Sequence, residues 1–161
     1  MEDLFKNIKR TTKNKLVLLD TCFIIELFQD HKEKELLTTA KKNDLGITSY
    51  TTEELLSILK KTKDTTLKNN IVTFFTEHQE IKILDIPVQY GDEKAAKKYV
   101  ADIDPYLAED IPDPSDAIIF TAAIKTKSII VTKDKHTLFS LILKDYLVRW
   151  NIKVIRNFKE L

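Results

Sequence analysis

Short apolar runs alternate with helical-period segments along most of this chain. Apolar runs bounded by polar residues read as buried strands, whereas apolar residues three and four apart read as one face of a helix. On that basis KLVLL (15–19), LGITS (45–49), IKILDI (81–86), SIIVT (128–132) and IKVIRN (152–157) are strands. Helical periodicity marks CFIIELFQD, KEKELLTTAKKN, a segment from about Thr65 to Thr76, GDEKAAKKYVADI, and one from about Lys135 to Asp145. TTEELLSILKK (51–61) opens as a helix with a capping box between Thr51 and Glu54. IPDPSD is a turn whose Pro114 suits the first position of the mostly apolar helix DAIIFTAAIKTK. Strands alternating with helices predict an α/β sandwich around a mainly parallel, about five-stranded sheet. With no repeat or linker, residues 15–161 are expected to form a single domain and residues 1–14 a polar N-terminal extension.

Composition narrows the chemistry. At 161 residues and 43% hydrophobic, the chain buries a real core, and it has neither a run of roughly 18 apolar residues nor a signal-peptide pattern. No membrane partner and a cytoplasmic location are therefore expected. One cysteine, Cys22, makes no internal disulfide, and His31, His78 and His136 are too scattered for structural zinc. Basic and acidic residues balance, 26 against 25, so a polyanion must be held by local rather than bulk charge. Gly46 and Gly91 are the only glycines, which excludes phosphate-binding glycine loops and the G-x-S-x-G elbow of serine hydrolases.

Parallel strands gather their C-terminal ends on one edge, where such folds place their sites. Asp20 follows LVLL directly, and Asp134 follows SIIVT after one lysine. Glu54 lies early in the helix after the second strand, and Asp116 opens the apolar helix before SIIVT. Singly, each has an ordinary explanation: Asp20 and Asp134 as helix caps, Glu54 as half of a capping box, Asp116 as a first-turn acid. Converging together, the four crowd negative charge that calls for a cation, and Mg²⁺ or Mn²⁺ suits oxygen donors.

VLLDT, TTEELL, SDAIIFTAA and IIVTKD together resemble, in order and spacing, the PIN-domain ribonuclease family, over about Leu16 to Ile155. The resemblance implies a three-layer α/β/α sandwich and metal-dependent endonucleolytic cleavage of RNA, with the acids carried onto Asp20, Glu54, Asp116 and Asp134. Thr132, in the T-x-D segment, then orients a carboxylate or a water; its ordinary reading is a last strand residue. TKDKHTLF puts His136 where the family often has another acid, and a first-turn surface histidine is the ordinary account of it. Asp110 and Asp113, in the long acidic stretch before Asp116, are not carried over. Glu53 points about 100° away from Glu54 on a helix, which favours Glu54.

Hydrolysis by this set would have Asp20, Asp116 and Asp134 hold one or two Mg²⁺, directly or through water, while Glu54 positions or deprotonates the attacking water or holds the second metal. Lys60, Lys61, Lys63, Lys125, Lys127, Lys133 and Lys135 are candidates to bring RNA to the acids, against the plainer account of a solvated lysine face. Small members of the family are most often toxins of toxin–antitoxin pairs, so an antitoxin protein and a homodimer are expected partners, with CFIIELF the candidate surface. Against that surface stands simple burial on the sheet. The alternatives are an RNA-processing housekeeping nuclease and a non-catalytic RNA- or protein-binding module. A phosphoacceptor receiver domain fails because Asp20 is followed by Thr and Cys rather than a paired acid, and DTC does not supply the D-x-D of haloacid dehalogenase-type phosphatases.

Overall fold

The computed structural model describes residue 1, residues 3–133 and residues 141–161, the last from Lys144 onward with side chains. In chain order the elements are β1 (Arg10–Thr11), β2 (Val17–Leu19), α1 (Thr21–Gln29), α2 (Glu33–Ala40), β3 (Leu45–Thr48), α3 (Ser49–Lys61), α4 (Thr65–Glu77) and β4 (Lys82–Leu84). They continue with α5 (Glu93–Ala101), α6 (Leu107–Asp110), α7 (Pro114–Thr126), β5 (Ile129–Val131), α8 (Leu141–Trp150), β6 (Val154–Ile155) and a closing 3₁₀ turn, Phe158–Glu160.

The strands form one sheet in the order β1-β4-β3-β2-β5-β6, with every pairing parallel. Alternation of side chains along each strand splits the apolar residues between two cores. Val17, Leu19, Leu45, Ile47 and Ile83 face one side, where they pack on Phe28 of α1, Leu36 of α2, Leu55 and Leu59 of α3, and Ile71 and Phe74 of α4. Leu16, Leu18, Leu84 and Ile130 face the other, against Tyr99 and Val100 of α5, Leu107 of α6 and the run Ala117–Phe120 of α7. The result is a three-layer α/β/α sandwich. Gly46 lets β3 approach the second core, since a Cβ there would lie 3.1 Å from Leu16 Cδ1.

The sandwich is as expected, and three details refine it. The sheet gains a sixth strand, because β1 pairs with β4, and Leu4, Phe5 and Ile8 just before it enter the first core. A polar average over residues 1–14 hides those three apolar positions. The helix of Glu54 starts at Ser49, not Thr51, because Thr48 ends β3 and takes the cap, its Oγ1 accepting from Thr51 N at 3.0 Å. That places Glu54 in the second turn, out of reach of a capping box. Finally, CFIIELF spends Phe23, Ile24, Leu27 and Phe28 on the first core, so burial accounts for its apolar pattern.

Candidate active site

β2 sits between β3 and β5, and the chain moves outward to β3 and β4 on one side before crossing back to β5 on the other. The C-terminal ends of β2 and β5 therefore flank a switch point, where adjacent connections diverge and leave a crevice. Asp20 N donates to Val131 O at 3.0 Å, which joins the two strand ends.

Asp20 leaves β2 extended and caps α1, its Oδ1 accepting from Thr21 N at 2.8 Å. Its Oδ2 accepts from Thr132 Oγ1 at 2.7 Å and from Cys22 Sγ at 3.0 Å. The residue is only 5% exposed, so these donors replace most of the water a carboxylate requires. Thr132 is fully buried behind it, and its hydroxyl fixes the direction of Oδ2.

Glu54 reaches the same crevice from α3. Its Oε2 accepts from Thr21 Oγ1 at 2.6 Å and its Oε1 from Ser115 Oγ at 2.9 Å. Burial raises its pKa, and the charges of Asp20 and Asp113 add to the rise against the two hydroxyl donors. Glu53 turns elsewhere, its Oε2 accepting from Tyr90 N at 2.6 Å. Asp116 arrives in the first turn of α7, where Asp113 is the cap, its Oδ1 accepting from Ser115 N at 2.9 Å and Asp116 N at 3.3 Å. Pro114 at the first helical position sets this turn, as its locked φ requires.

Asp20, Glu54 and Asp116 thus line one open cleft of about 600 Å³, with Thr21, Cys22, Asp113, Ser115 and Lys133 among its other walls. Asp134 and His136 lie outside the described residues, as does Lys135. The sequence did not single out Thr21, Cys22 or Ser115 as site residues, and Asp113 was set aside there although it lines the cleft. Thr21 and Ser115 adjoin candidate acids and Cys22 lies two residues beyond Asp20, and only that proximity marked them. Of the lysines expected around the acids, Lys133 lines the cleft, whereas Lys60, Lys61, Lys63, Lys125 and Lys127 do not. Lys125 instead lays its Nζ 4.1 Å from the centre of the Tyr99 ring.

Cys22 is exposed as a residue, but its sulfur lies between Asp20 and Thr132. Local burial, then the Asp20 carboxylate, push the thiol up to about 12, so it stays protonated and donates.

A family model for the PIN domain matches residues 17–141. The chain belongs to the PIN-domain family. PIN domains are generally nucleases, and PIN nucleases typically use divalent metals. The fold is also similar to the crystal structure of VapBC2 from Rickettsia felis bound to a DNA fragment from their promoter, at a TM-score of 0.59. That likeness has 18% identity over 88% of this chain and 98% of that one, so it speaks to fold. No curated protein matches the chain by sequence.

The donors of this PIN cleft suit a hard divalent cation. They are carboxylate oxygens, and the ionisation of Glu54, opposed first by burial and then by the charges of Asp20 and Asp113, is one that such a cation would favour. Among the described residues, no three acidic, histidine or cysteine side chains are grouped closely enough to hold an ion by themselves. Nor, among them, is any helix long and apolar enough to cross a membrane.

Proposed function

We propose that this chain is a metal-dependent endoribonuclease that hydrolyses RNA phosphodiester bonds at the cleft of Asp20, Glu54 and Asp116. The observation that carries the reading is the convergence, at the sheet's switch point, of three acids from three separate elements, with one of them, Asp20, held by a buried threonine. Burial, and after it the charges of Asp20 and Asp113, oppose the ionisation of Glu54, an opposition that a bound cation would offset.

Asp20, Glu54, Asp116 and Asp134 would hold Mg²⁺ or Mn²⁺, which when bound supplies a water of lowered pKa and positive charge for the phosphate. Thr132 and Cys22 keep Oδ2 of Asp20 pointed in one direction. Thr21 and Ser115 hold both oxygens of Glu54, so that its carboxylate is ready to orient the attacking water. Lys133 places a cation at the cleft wall, where an RNA phosphate enters; its Nζ rests 3.8 Å from Glu26.

The biological setting we infer is that of the toxin in a toxin–antitoxin pair, with an antitoxin protein as partner, because a VapBC2 assembly shares the fold. Induced expression of the wild type is then expected to arrest growth, and Asp20→Asn to relieve the arrest. The biochemical test is cleavage of a generic structured RNA with Mg²⁺, with Mn²⁺, and with chelator. Cleavage that needs the metal and disappears in Asp20→Asn supports the assignment; cleavage by Asp20→Asn at the wild-type rate overturns it.

A further inference from the structure

The near-zero net charge of this chain conceals a division between the two edges of its sheet. Acids collect where strands end. Where strands begin, lysines collect instead: Lys15 precedes β2, Lys42 precedes β3 and Lys127 precedes β5, all exposed. The three line a cavity of about 800 Å³, and so does Trp150, at the end of α8. Trp150 is 37% exposed and is the only tryptophan in the chain.

Among the described residues, Asp44 is the one acid in this wall, and it is already occupied. Lys13 and Lys82 both pair with it, the latter at 2.7 Å. Among the described residues, two lysines therefore neutralise Asp44, while Lys15, Lys42 and Lys127, exposed and without a carboxylate partner, remain available to an anion. An accessible indole beside unpaired ammonium groups is the combination that holds a nucleotide, with charge for the phosphate and a flat apolar face for the base. The amides of Asn43 and Asn151 in the same wall add donors and acceptors suited to a base edge.

We propose that this edge carries a nucleotide-binding site separate from the acidic cleft, with Lys15, Lys42 and Lys127 on phosphate and Trp150 against a base. The ligand is a nucleotide within a single strand, or the same chemistry as a free mononucleotide. The site does not depend on the nuclease reading, because no described residue is shared between the two cavities.

Trp150 is a built-in reporter, so the test uses its emission in the full-length protein, with Asp20→Asn to prevent any cleavage. Titration with a short single-stranded RNA is expected to change the emission. In the triple variant Lys15→Gln, Lys42→Gln, Lys127→Gln, affinity is expected to fall about tenfold or more, and the slope of log affinity against log salt to become shallower by about two. Trp150→Phe, followed by anisotropy of a labelled strand, is expected to weaken binding about fivefold. Adenosine monophosphate binding as tightly as the strand assigns the site to the free nucleotide. Inorganic phosphate binding equally well removes the base contact and overturns the proposal. Unchanged emission at saturating strand, or a triple variant that binds like its parent with an unaltered melting temperature, overturns it as well. RNA cleavage by the wild type is measured separately and stands or falls without these results.

Discussion

Thr132, one residue past β5, donates its hydroxyl to Oδ2 of Asp20, one residue past β2, across 2.7 Å and 112 positions of sequence. The bond is buried and its acceptor is charged, a class worth about 2 kcal/mol. Thr132→Val keeps the shape and removes the donor, so the melting temperature is expected to fall by roughly 4–8 °C. RNA cleavage is expected to fall as well, because Oδ2 keeps the weaker thiol of Cys22 but loses the threonine hydroxyl. A variant with wild-type activity and stability would show that the bond orients nothing.

Asp20→Asn separates the two tasks of that side chain. An asparagine retains an oxygen for the α1 cap, so thermal denaturation is expected to stay within a few degrees of wild type. Divalent-metal binding, measured by calorimetry, is expected to weaken strongly with the loss of the charge. A large drop in stability with metal affinity preserved would return Asp20 to a purely structural role.

Burial raises the pKa of Glu54 above its ordinary 4.5, with the charges of Asp20 and Asp113 adding to it. Because the folded value exceeds the unfolded one, ionisation works against folding. The penalty is absent below about pH 4.5 and complete once pH passes the folded value. In chelator, Glu54→Gln is expected to raise the melting temperature at pH 7 and change it little at pH 4. Added Mg²⁺ is expected to stabilise the wild type more than the variant, as read by scanning fluorimetry.

The Cys22 thiol, pushed up to about 12, is expected to react with iodoacetamide at pH 8 far more slowly than an ordinary thiol of about 8.5. Asp20→Asn removes the charge and acceptor but leaves the larger cause, burial, so alkylation is expected to quicken only in part. Mass spectrometry of the modified fraction over time measures both rates. Equal rates in the two proteins would place the sulfur away from Asp20.

Lys13 and Lys82 hold the Asp44 carboxyl down from 3.8 to about 2. The folded value lies below the unfolded one, so this contribution is complete above about pH 4 and is lost as pH falls through 2. Asp44→Asn is expected to lower stability slightly at pH 6 and to flatten its decline between about pH 4 and 2. Both ion pairs are at least partly exposed, so high salt is expected to shrink the difference.

Periodicity alone located β2 through β6, the eight-residue stretch of α2 and the apolar run of α7, because strand and helix patterns are set by neighbours a few positions apart. It also put Asp20 and Asp116 at element ends, since strand ends and helix starts have local signals. Local signals failed where competition was decided at longer range. Thr48, the last residue of β3, displaced Thr51 as the cap, and Leu4, Phe5 and Ile8 found a core that a polar segment does not advertise. Only the order of strands brought Thr132 behind Asp20, and Ser115 and Thr21 onto Glu54, because those partners are 112, 61 and 33 residues apart. The same is true of Lys15, Lys42 and Lys127, three unremarkable surface lysines until parallel pairing sets β2, β3 and β5 side by side with their starts on one edge. Sequence determined the elements and the chemistry each one carries. Which of those groups meet was decided by strand order, a property of long-range packing that no local pattern encodes.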